Sequence, residues 1–398
     1  MNKHLSTVVS GIVLLALGAA GCANRPEPQA APERPVVPVN PPALIREWRA
    51  PLDLGDNRVT QLHLSDDYLF VYTNSNTTYT FDRKSGTRVF VTRLNGRPQH
   101  APVVLTDLIV YPTASTLEVY NRRGRFVRSV ALGHTIRTGA VVAANRVVVG
   151  VDVNRRGRVL FVDVTQPYPD VTPILTMGGL TAQPATRQGL TFIGSEDGSV
   201  YAISPELDGA WALPGGAFET AGSIVGDLAA DTGTTGNVYV ASTDTKLYAL
   251  AATSGQLRWQ YYAGAALTTG PTVTAEMLYQ FVPGTGLVAI DKNNGDAIRA
   301  ARWAIIDATK LVAEDAQLAY VLGTGNKVYG VDKKTGKVRF VSTRDDLSVF
   351  AENTTDGTVY AATPGGEIIA ATPVLTQGKM GELVLTPSLD GTVVSRAE

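Results

Sequence analysis

Short runs of alternating hydrophobic and polar residues fill most of the chain, and none of them keeps a helical period. The clearest example is residues 268–305, where Gly, Asn and Asp separate four such runs. The runs are residues 272–274, 277–282, 287–291 and 297–304. Apolar or β-branched runs of this length, bounded by turn-forming residues, predict β-strands. The pattern therefore predicts an all-β chain built from four-stranded units.

The same unit recurs along the chain. Residues 81–86, 290–295 and 331–336 share an apolar residue followed by Asp-x-x-x-Gly, and residues 119–124, 203–209 and 250–255 are looser copies. The glycines that end these segments are Gly86, Gly124, Gly209, Gly255, Gly295 and Gly336. With residues 158–163 as a further copy, the period is about 42 residues, which is typical of β-propeller blades.

The repeated aspartate and glycine have a backbone explanation. An aspartate carboxylate can accept hydrogen bonds from the turn that it opens, and glycine adopts the left-handed conformation that ends the turn. Asp82, Asp291 and Asp332 occupy the same phase of the repeat. We therefore interpret them as turn residues rather than as metal ligands.

Counting the units predicts a single eight-bladed propeller with four-stranded, PQQ-like or WD40-like blades. The units start near residues 59, 101, 138, 182, 221, 269, 309 and 348; seven or nine blades are the alternatives. Residues 44–49 resemble residues 255–259 and predict an isolated fourth strand. We expect this N-terminal strand to close the ring by completing a blade begun by residues 382–395, because a closed ring leaves no free sheet edge at the seam.

Aromatic residues follow the repeat as well. Phe90, Trp259 and Phe340 each lie four residues after a marker glycine. Trp211 and Trp303 are expected in fourth strands at shifted positions.

The first 43 residues predict export and anchoring. Residues 1–22 have a polar start, a short apolar stretch and small residues before Cys22, which is typical of a bacterial lipoprotein signal peptide. Residues 23–43 are rich in proline and predict an extended tether. The expected organisation is a signal peptide over 1–22 with lipidation at Cys22, a tether over 23–43 and a propeller over 44–398. A plain signal peptide with a chance cysteine is the alternative.

Composition narrows the possible chemistry. The chain has a net charge of −1 and contains no run of basic residues, so nothing in it favours nucleic acid. Cys22 is its one cysteine, which excludes a disulfide within the chain. His4, His63, His100 and His134 show no metal-binding spacing, and no nucleophile elbow or phosphate-binding loop is present. We expect no metal, no cofactor and no enzymatic activity.

The repeat, including LYALAATSGQLRWQ at residues 247–260, resembles the PQQ-type propeller repeat. Together with the lipoprotein signal and the tether, it resembles the BamB family of the outer-membrane β-barrel assembly machinery. The resemblance implies a monomeric scaffold within a complex, anchored by lipid at the periplasmic side of the outer membrane. It also implies binding to the barrel-inserting outer-membrane subunit.

Other interpretations remain open. The chain could be an envelope lipoprotein that binds a sugar or a peptide, and could lie on the outer face of the plasma membrane. A PQQ-dependent dehydrogenase is the enzymatic alternative, although such enzymes resemble larger propellers with a vicinal cysteine pair. If a ligand binds, we expect it at the channel mouth, where residues that precede the first strand of each blade should meet. These residues are Gln99, Arg137, Thr181, Thr220, Thr268 and Asp307.

Overall fold

The computed structural model describes residues 44–373 except 154–155, 232, 234–235, 293–300, 343 and 345. Eight four-stranded antiparallel sheets form the blades of a β-propeller, as the repeat predicted. The first strands of seven blades begin within three residues of the predicted starts, and that of the fifth begins at Ala229, eight residues after its predicted start. No helix in the described part of the chain is long and apolar enough to cross a membrane.

Blades 1 to 4 follow one another along the chain. Blade 1 contains β2 (Val59–Ser65), β3 (Tyr68–Thr73), β4 (Thr77–Asp82) and β5 (Arg88–Arg93). Blade 2 contains β6 (Val103–Val104), β7 (Leu108–Pro112), β8 (Thr116–Asn121) and β9 (Phe126–Ala131). Blade 3 contains β10 (Val141–Ala143), β11 (Arg146–Val153), β12 (Arg156–Asp163) and β13 (Asp170–Leu175). Blade 4 contains β14 (Ala185–Arg187), β15 (Leu190–Gly194), β16 (Ser199–Ile203) and β17 (Ala217–Glu219).

Blades 5 to 8 complete the ring. Blade 5 contains β18 (Ala229–Ala230), β19 (Asn237–Ala241), β20 (Lys246–Ala251) and β21 (Leu257–Tyr262). Blade 6 contains β22 (Thr272–Val273), β23 (Met277–Val282), β24 (Gly286–Asp291) and β25 (Ala301–Ile305). Blade 7 contains β26 (Ala308–Glu314), β27 (Leu318–Gly323), β28 (Val328–Asp332) and β29 (Val338–Ser342). Blade 8 contains β30 (Val349–Phe350), β31 (Val359–Ala362), β32 (Glu367–Pro373) and β1 (Leu44–Pro51). Two 3-10 turns, Pro214–Gly216 and Thr324–Asn326, complete the described elements.

The N-terminal strand closes the ring, but its partner differs from the expectation. β1 pairs antiparallel with β32, from Leu44 opposite Pro373 to Pro51 opposite Glu367. The prediction that this strand pairs with residues 382–395 was wrong, because the apolar run after Gly366 already supplies the third strand of blade 8. Residues 374–398 lie outside the described residues.

The hydrophobic core lies between the blades. One cluster joins Val110 and Val119 of blade 2 to Val149 and Leu160 of blade 3, and similar clusters lie at the other boundaries. Burial of each such side chain contributes about 1.5 to 3 kcal/mol. Each sheet has apolar residues on both faces and therefore needs a neighbour on both sides, as a ring provides.

The first strand of each sheet is innermost. First strands of neighbouring blades contact each other, for example β6 with β10 and β14 with β18. The first strands and the segments that lead into them therefore line the central channel, while the fourth strands form the rim.

Candidate functional site

The aspartates of the repeat act within their own turns. Asp82 Oδ1 accepts hydrogen bonds from the Ser85 amide at 2.8 Å and the Ser85 hydroxyl at 2.8 Å. Asp332 makes the same contacts with Thr335. Burial raises the pKa of Asp332, but hydrogen bonds from Arg339 and Thr335 outweigh burial and lower it to about 2. The turn after Asp291 lies outside the described residues.

The basic residue that follows each of these aspartates has a role that sequence reasoning missed. Arg83, Lys292 and Lys333 are all buried, and each forms an ion pair with a carboxylate in the first hairpin of the preceding blade. These inter-blade partners are Asp356 for Arg83 at 2.6 Å, Asp231 for Lys292 at 2.9 Å and Glu276 for Lys333 at 3.3 Å. Lys333 also pairs with the buried Glu314 of its own blade at 3.0 Å. These pairs connect neighbouring blades. Where the turn is described, the aspartate of the repeat therefore stabilises its own turn, and the basic residue after it binds the preceding blade.

Four of the predicted mouth residues occupy equivalent places, four residues before a first strand. They are Gln99, Arg137, Thr181 and Thr268. Gln99 and Thr268 are exposed, and Arg137 Nε lies 3.3 Å from Asp152 Oδ2. The Thr181 hydroxyl is buried without a hydrogen-bond partner among the described residues. This set shares a position in the repeat, but no hydrogen bond or ion pair joins its members to one another among the described residues.

The other two predicted residues lie elsewhere in their blades. Asp307 directly precedes β26. Thr220 directly follows β17, nine residues before β18, because the connection between blades 4 and 5 is longer than the repeat predicted. Its hydroxyl oxygen lies 2.6 Å from the Gly222 carbonyl oxygen, to which it donates, and 3.0 Å from that of Gly198, so it stabilises its own loop.

A different group of polar residues converges on the channel. His63 lies on β2, Lys310 on β26 and Glu352 just after β30, while His100 and Asp227 lie in the segments that lead into β6 and β18. Five blades therefore each contribute one ionisable side chain. Sequence reasoning missed this group, because its members differ in residue type and in their position within the repeat.

Hydrogen bonds hold parts of this channel cluster in place. A ring nitrogen of His63 lies 3.0 Å from Gln61 Oε1, and the His63 ring packs edge-on against Tyr72. The Tyr72 hydroxyl donates to the backbone carbonyl oxygen of His100 at 3.1 Å. Lys310 Nζ donates to the Phe350 carbonyl oxygen at 3.3 Å.

Burial and mutual charge shift the acid–base behaviour of the cluster. Burial, with the charges of His100 and Lys310, lowers the pKa of His63 to about 4. Burial also lowers the pKa of His100, although Asp227 opposes this effect. Desolvation by the surrounding protein raises the pKa of Glu352, against a hydrogen bond from Thr272 and the charge of Lys310. At neutral pH both imidazoles are uncharged and can each donate and accept a hydrogen bond.

The cluster is suited to holding a small polar group by hydrogen bonds and charge. In the described part of the chain, no set of three or more His, Cys, Asp or Glu residues is placed to hold a metal ion.

The fold and its inter-blade contacts define an eight-bladed propeller of the PQQ-like class. Within that class, residues 196–394 match the family model described as outer membrane protein assembly factor BamB. The match spans half of the chain, which therefore belongs to the BamB family.

Several solved structures share the fold. BamB from Moraxella catarrhalis is 15% identical, with a TM-score of 0.64, and the match covers 85% of this chain and 100% of that one. The quinohemoprotein alcohol dehydrogenase from Comamonas testosteroni is 10% identical, with a TM-score of 0.62, and the match covers 89% of this chain and 81% of that one. The computationally designed Ika8 protein is 13% identical, with a TM-score of 0.59, covering 84% and 100% respectively. At these identities the likeness shows the fold alone. No curated protein matches the sequence.

Proposed function

We propose that this chain is a non-enzymatic propeller scaffold that binds protein partners during assembly of outer-membrane proteins. Its membership of the BamB family is the observation that carries the proposal. A ring with a packed core at every blade boundary presents its connecting loops on a rigid frame, which suits protein recognition. The expected partner is the barrel-inserting subunit, and no nucleic acid is involved.

The proposal includes a lipid anchor at the periplasmic side of the outer membrane. Cleavage before Cys22 would leave that cysteine for acylation, and residues 23–43 would act as the tether. About 20 extended residues can span up to about 60 Å. The chain enters the propeller at β1, so the tether would lead directly into blade 8.

Crosslinking in cells, followed by affinity purification of the full-length chain and mass spectrometry, tests the scaffold role. The expected result is recovery of the barrel-inserting subunit, with a Cys22→Ser variant as the matched control for anchoring. That variant should be lost from the membrane fraction. A folded, membrane-located chain that never recovers the subunit would exclude a role in barrel assembly.

A second candidate, binding of a sugar or short peptide in the channel, is favoured by the convergence of His63, His100 and Glu352. Titration of the protein with glucose and with trialanine, monitored by tryptophan fluorescence, tests this second candidate in wild type and in a His63→Ala variant. Gln99→Ala and Arg137→Ala test the mouth in the same assay. The enzymatic alternative predicts dye reduction when PQQ, calcium and an alcohol are added, and such activity would contradict the scaffold proposal.

A further inference from the structure

Positive charge is concentrated in one part of the sequence. Residues 83–158 contain fourteen arginine and lysine residues and three acidic residues, although the whole chain has a net charge of −1. The acidic residues are Asp107, Glu118 and Asp152. The basic residues form no long continuous run, and their densest stretch is residues 122–128, which contains four arginines. Residues 83–158 extend from the end of β4 to β12, within blades 1 to 3.

Many of these arginines are exposed and lack a carboxylate partner. Among the described residues, none of the exposed arginines of blades 1 and 2 in the following set forms an ion pair. The set is Arg88, Arg93, Arg97, Arg123 and Arg125. On β9, the buried Nη1 of Arg128 has no hydrogen-bond partner in the described structure. This surface therefore carries a positive charge that nearby carboxylates do not offset.

Two of the three acidic residues of this segment cannot neutralise that charge. Glu118 is 1% exposed, and its carboxylate accepts hydrogen bonds from the Asn95 and Gly96 amides at 3.1 and 2.9 Å. It also accepts from the Tyr120 hydroxyl at 3.1 Å. Asp152 faces Arg137 of blade 3. The Glu118 carboxylate is therefore buried and hydrogen-bonded, and the Asp152 carboxylate is in an ion pair.

A groove lies in the middle of this positive surface, between the outer strands of blades 1 and 2. It has a volume of about 460 Å³. Its lining residues are Val91, Thr92, Arg93, Asn95, Tyr120, Gly124 and Phe126. Phe126 is 53% exposed and Val91 44% exposed, and Val89 lies on the same face of β5 as Val91. Large exposed apolar side chains beside unpaired arginines are typical of recognition surfaces.

The walls of the groove are β5 and the start of β9, which are the outermost strands of their sheets. The occupant must supply negative charge for the arginines and apolar side chains for Val91 and Phe126.

We propose that the groove between β5 and β9, referred to below as the rim groove, binds an acidic segment of a protein partner that also carries apolar side chains. The inference rests on the proposed function in one respect, namely that the propeller is a protein-binding scaffold. It does not depend on which assembly the partner belongs to. Rim charges mainly govern association rate and salt dependence, and the apolar contacts govern retention.

Fluorescence anisotropy with full-length protein in a neutral detergent tests the proposal. The probe is a labelled peptide of alternating glutamate and leucine, with lysine–leucine and glutamate–glycine peptides for comparison. The first peptide should bind, and its affinity should fall as salt is raised. Arg93→Glu with Arg125→Glu should weaken binding about tenfold or more, and Phe126→Ser should weaken it at low and high salt alike.

The matched control reverses two exposed charges on blades 5 and 7, Arg258→Glu and Lys337→Glu, and should bind like wild type. An equal loss in this control would overturn the inference, because binding would then reflect net charge alone. Failure of the glutamate–leucine peptide to bind would also overturn it. Binding to phosphatidylglycerol vesicles that the Arg93 and Arg125 substitutions abolish, without peptide binding, would assign the surface to lipid. Since the assay omits the barrel-inserting subunit, its outcome is separate from that of the cell crosslinking.

Discussion

The Trp303 indole Nε1 donates a hydrogen bond to the backbone carbonyl oxygen of Lys333 at 3.0 Å, across the boundary between blades 6 and 7. The indole lies against Gly336, the marker glycine of blade 7. Trp48 makes the same contacts with Arg83 and Gly86. Trp211 bonds to the Ala252 carbonyl oxygen and lies against Gly255, although it precedes β17 instead of lying in a fourth strand as expected. Tryptophan and glycine thus recur together because each aromatic ring packs on the next blade.

This packing predicts unequal costs for two similar glycine substitutions. Gly336 and Gly325 have φ values of 70° and 69°. A Cβ at Gly336 would lie 2.3 Å from Trp303 Cβ, whereas a Cβ at Gly325 would meet no atom within 4 Å. Gly325→Ala should cost about 1 to 2 kcal/mol from backbone strain alone. Gly336→Ala should cost about 1 to 3 kcal/mol more, because the indole must move. Urea unfolding of both variants measures the difference, and equal costs would contradict the packing argument.

The buried ion pair between Lys292 and Asp231 gives a second prediction. Nζ lies 2.9 Å from Oδ1, and both side chains are 2% exposed. Lys292→Met should destabilise the protein by about 3 to 5 kcal/mol, because it leaves a buried carboxylate without its cation. The double variant with Asp231→Leu should recover much of this loss. Thermal and urea unfolding compare the variants.

An exposed ion pair in blade 7 supplies the control. Arg339 and Asp332 lie 2.6 Å apart, and the arginine side chain is half exposed. Arg339→Met should cost less than about 1 kcal/mol, since water screens the pair. A similar loss of stability in the Arg339 and Lys292 variants would show that burial does not determine how much an ion pair contributes to the free energy of unfolding.

The fold was predictable because strand alternation, turn residues and the repeat period agree with one another along the chain. The same contacts recur at each blade boundary, so the spacing of Gly86, Gly255 and Gly336 predicts the blade repeat. The partner of β1 was not predictable by spacing, since any third strand near the C-terminus satisfies the same pattern. Only the pairing with Glu367–Pro373 distinguishes it from residues 382–395.

The candidate sites were less accessible to sequence reasoning. Closure of the ring brings together His63, Lys310 and Glu352. These residues are too far apart in the sequence to be recognised as one motif. The basic rim of blades 1 to 3 is hidden for a related reason. Its arginines alternate with strand and turn residues, and only the fold shows which of them are exposed and without an ion pair. Local patterns predicted elements and turns, whereas the sites depend on how blades meet.

The position of His63 in the channel predicts a pH dependence of stability. Its pKa is about 4 in the folded protein, against 6.5 when unperturbed. As the pH falls from 6.5 to 4, the unfolded chain gains a proton that the folded protein does not, so stability declines. The groups that face His63 and its neighbours are His100, Lys310, Asp227 and Glu352. His63→Asn should therefore lose about 2 to 3 kcal/mol less than wild type over this pH range.

Two measurements check this pH prediction. Urea unfolding between pH 7 and pH 4 gives the difference in slope between wild type and His63→Asn. An NMR titration of the histidine side chains gives the His63 pKa directly. Parallel stability curves, together with titration near 6.5, would show that the channel does not desolvate this imidazole.

Arg83 gives the last prediction, because it joins the first blade to the last at the seam of the ring. Its guanidinium donates to Asp356 at 2.6 Å and Thr355 at 3.0 Å in blade 8, while its backbone carbonyl oxygen accepts from Trp48 on β1. Arg83→Lys keeps the charge but loses the planar guanidinium that reaches several acceptors. It should therefore weaken the seam about as much as Arg83→Met does.

Both Arg83 variants should loosen the seam before the rest of the propeller. Hydrogen exchange should accelerate about tenfold or more in the amides of β1 and β32, while β19 and β20 in blade 5 remain protected. Arg49→Met removes an exposed pair with Glu367 on the same two strands and should leave exchange close to that of wild type. Uniform acceleration in all blades would indicate that Arg83 contributes to global stability and not to ring closure. The seam is therefore held by a buried cation contributed by a neighbouring blade, in addition to the strand pairing of β1.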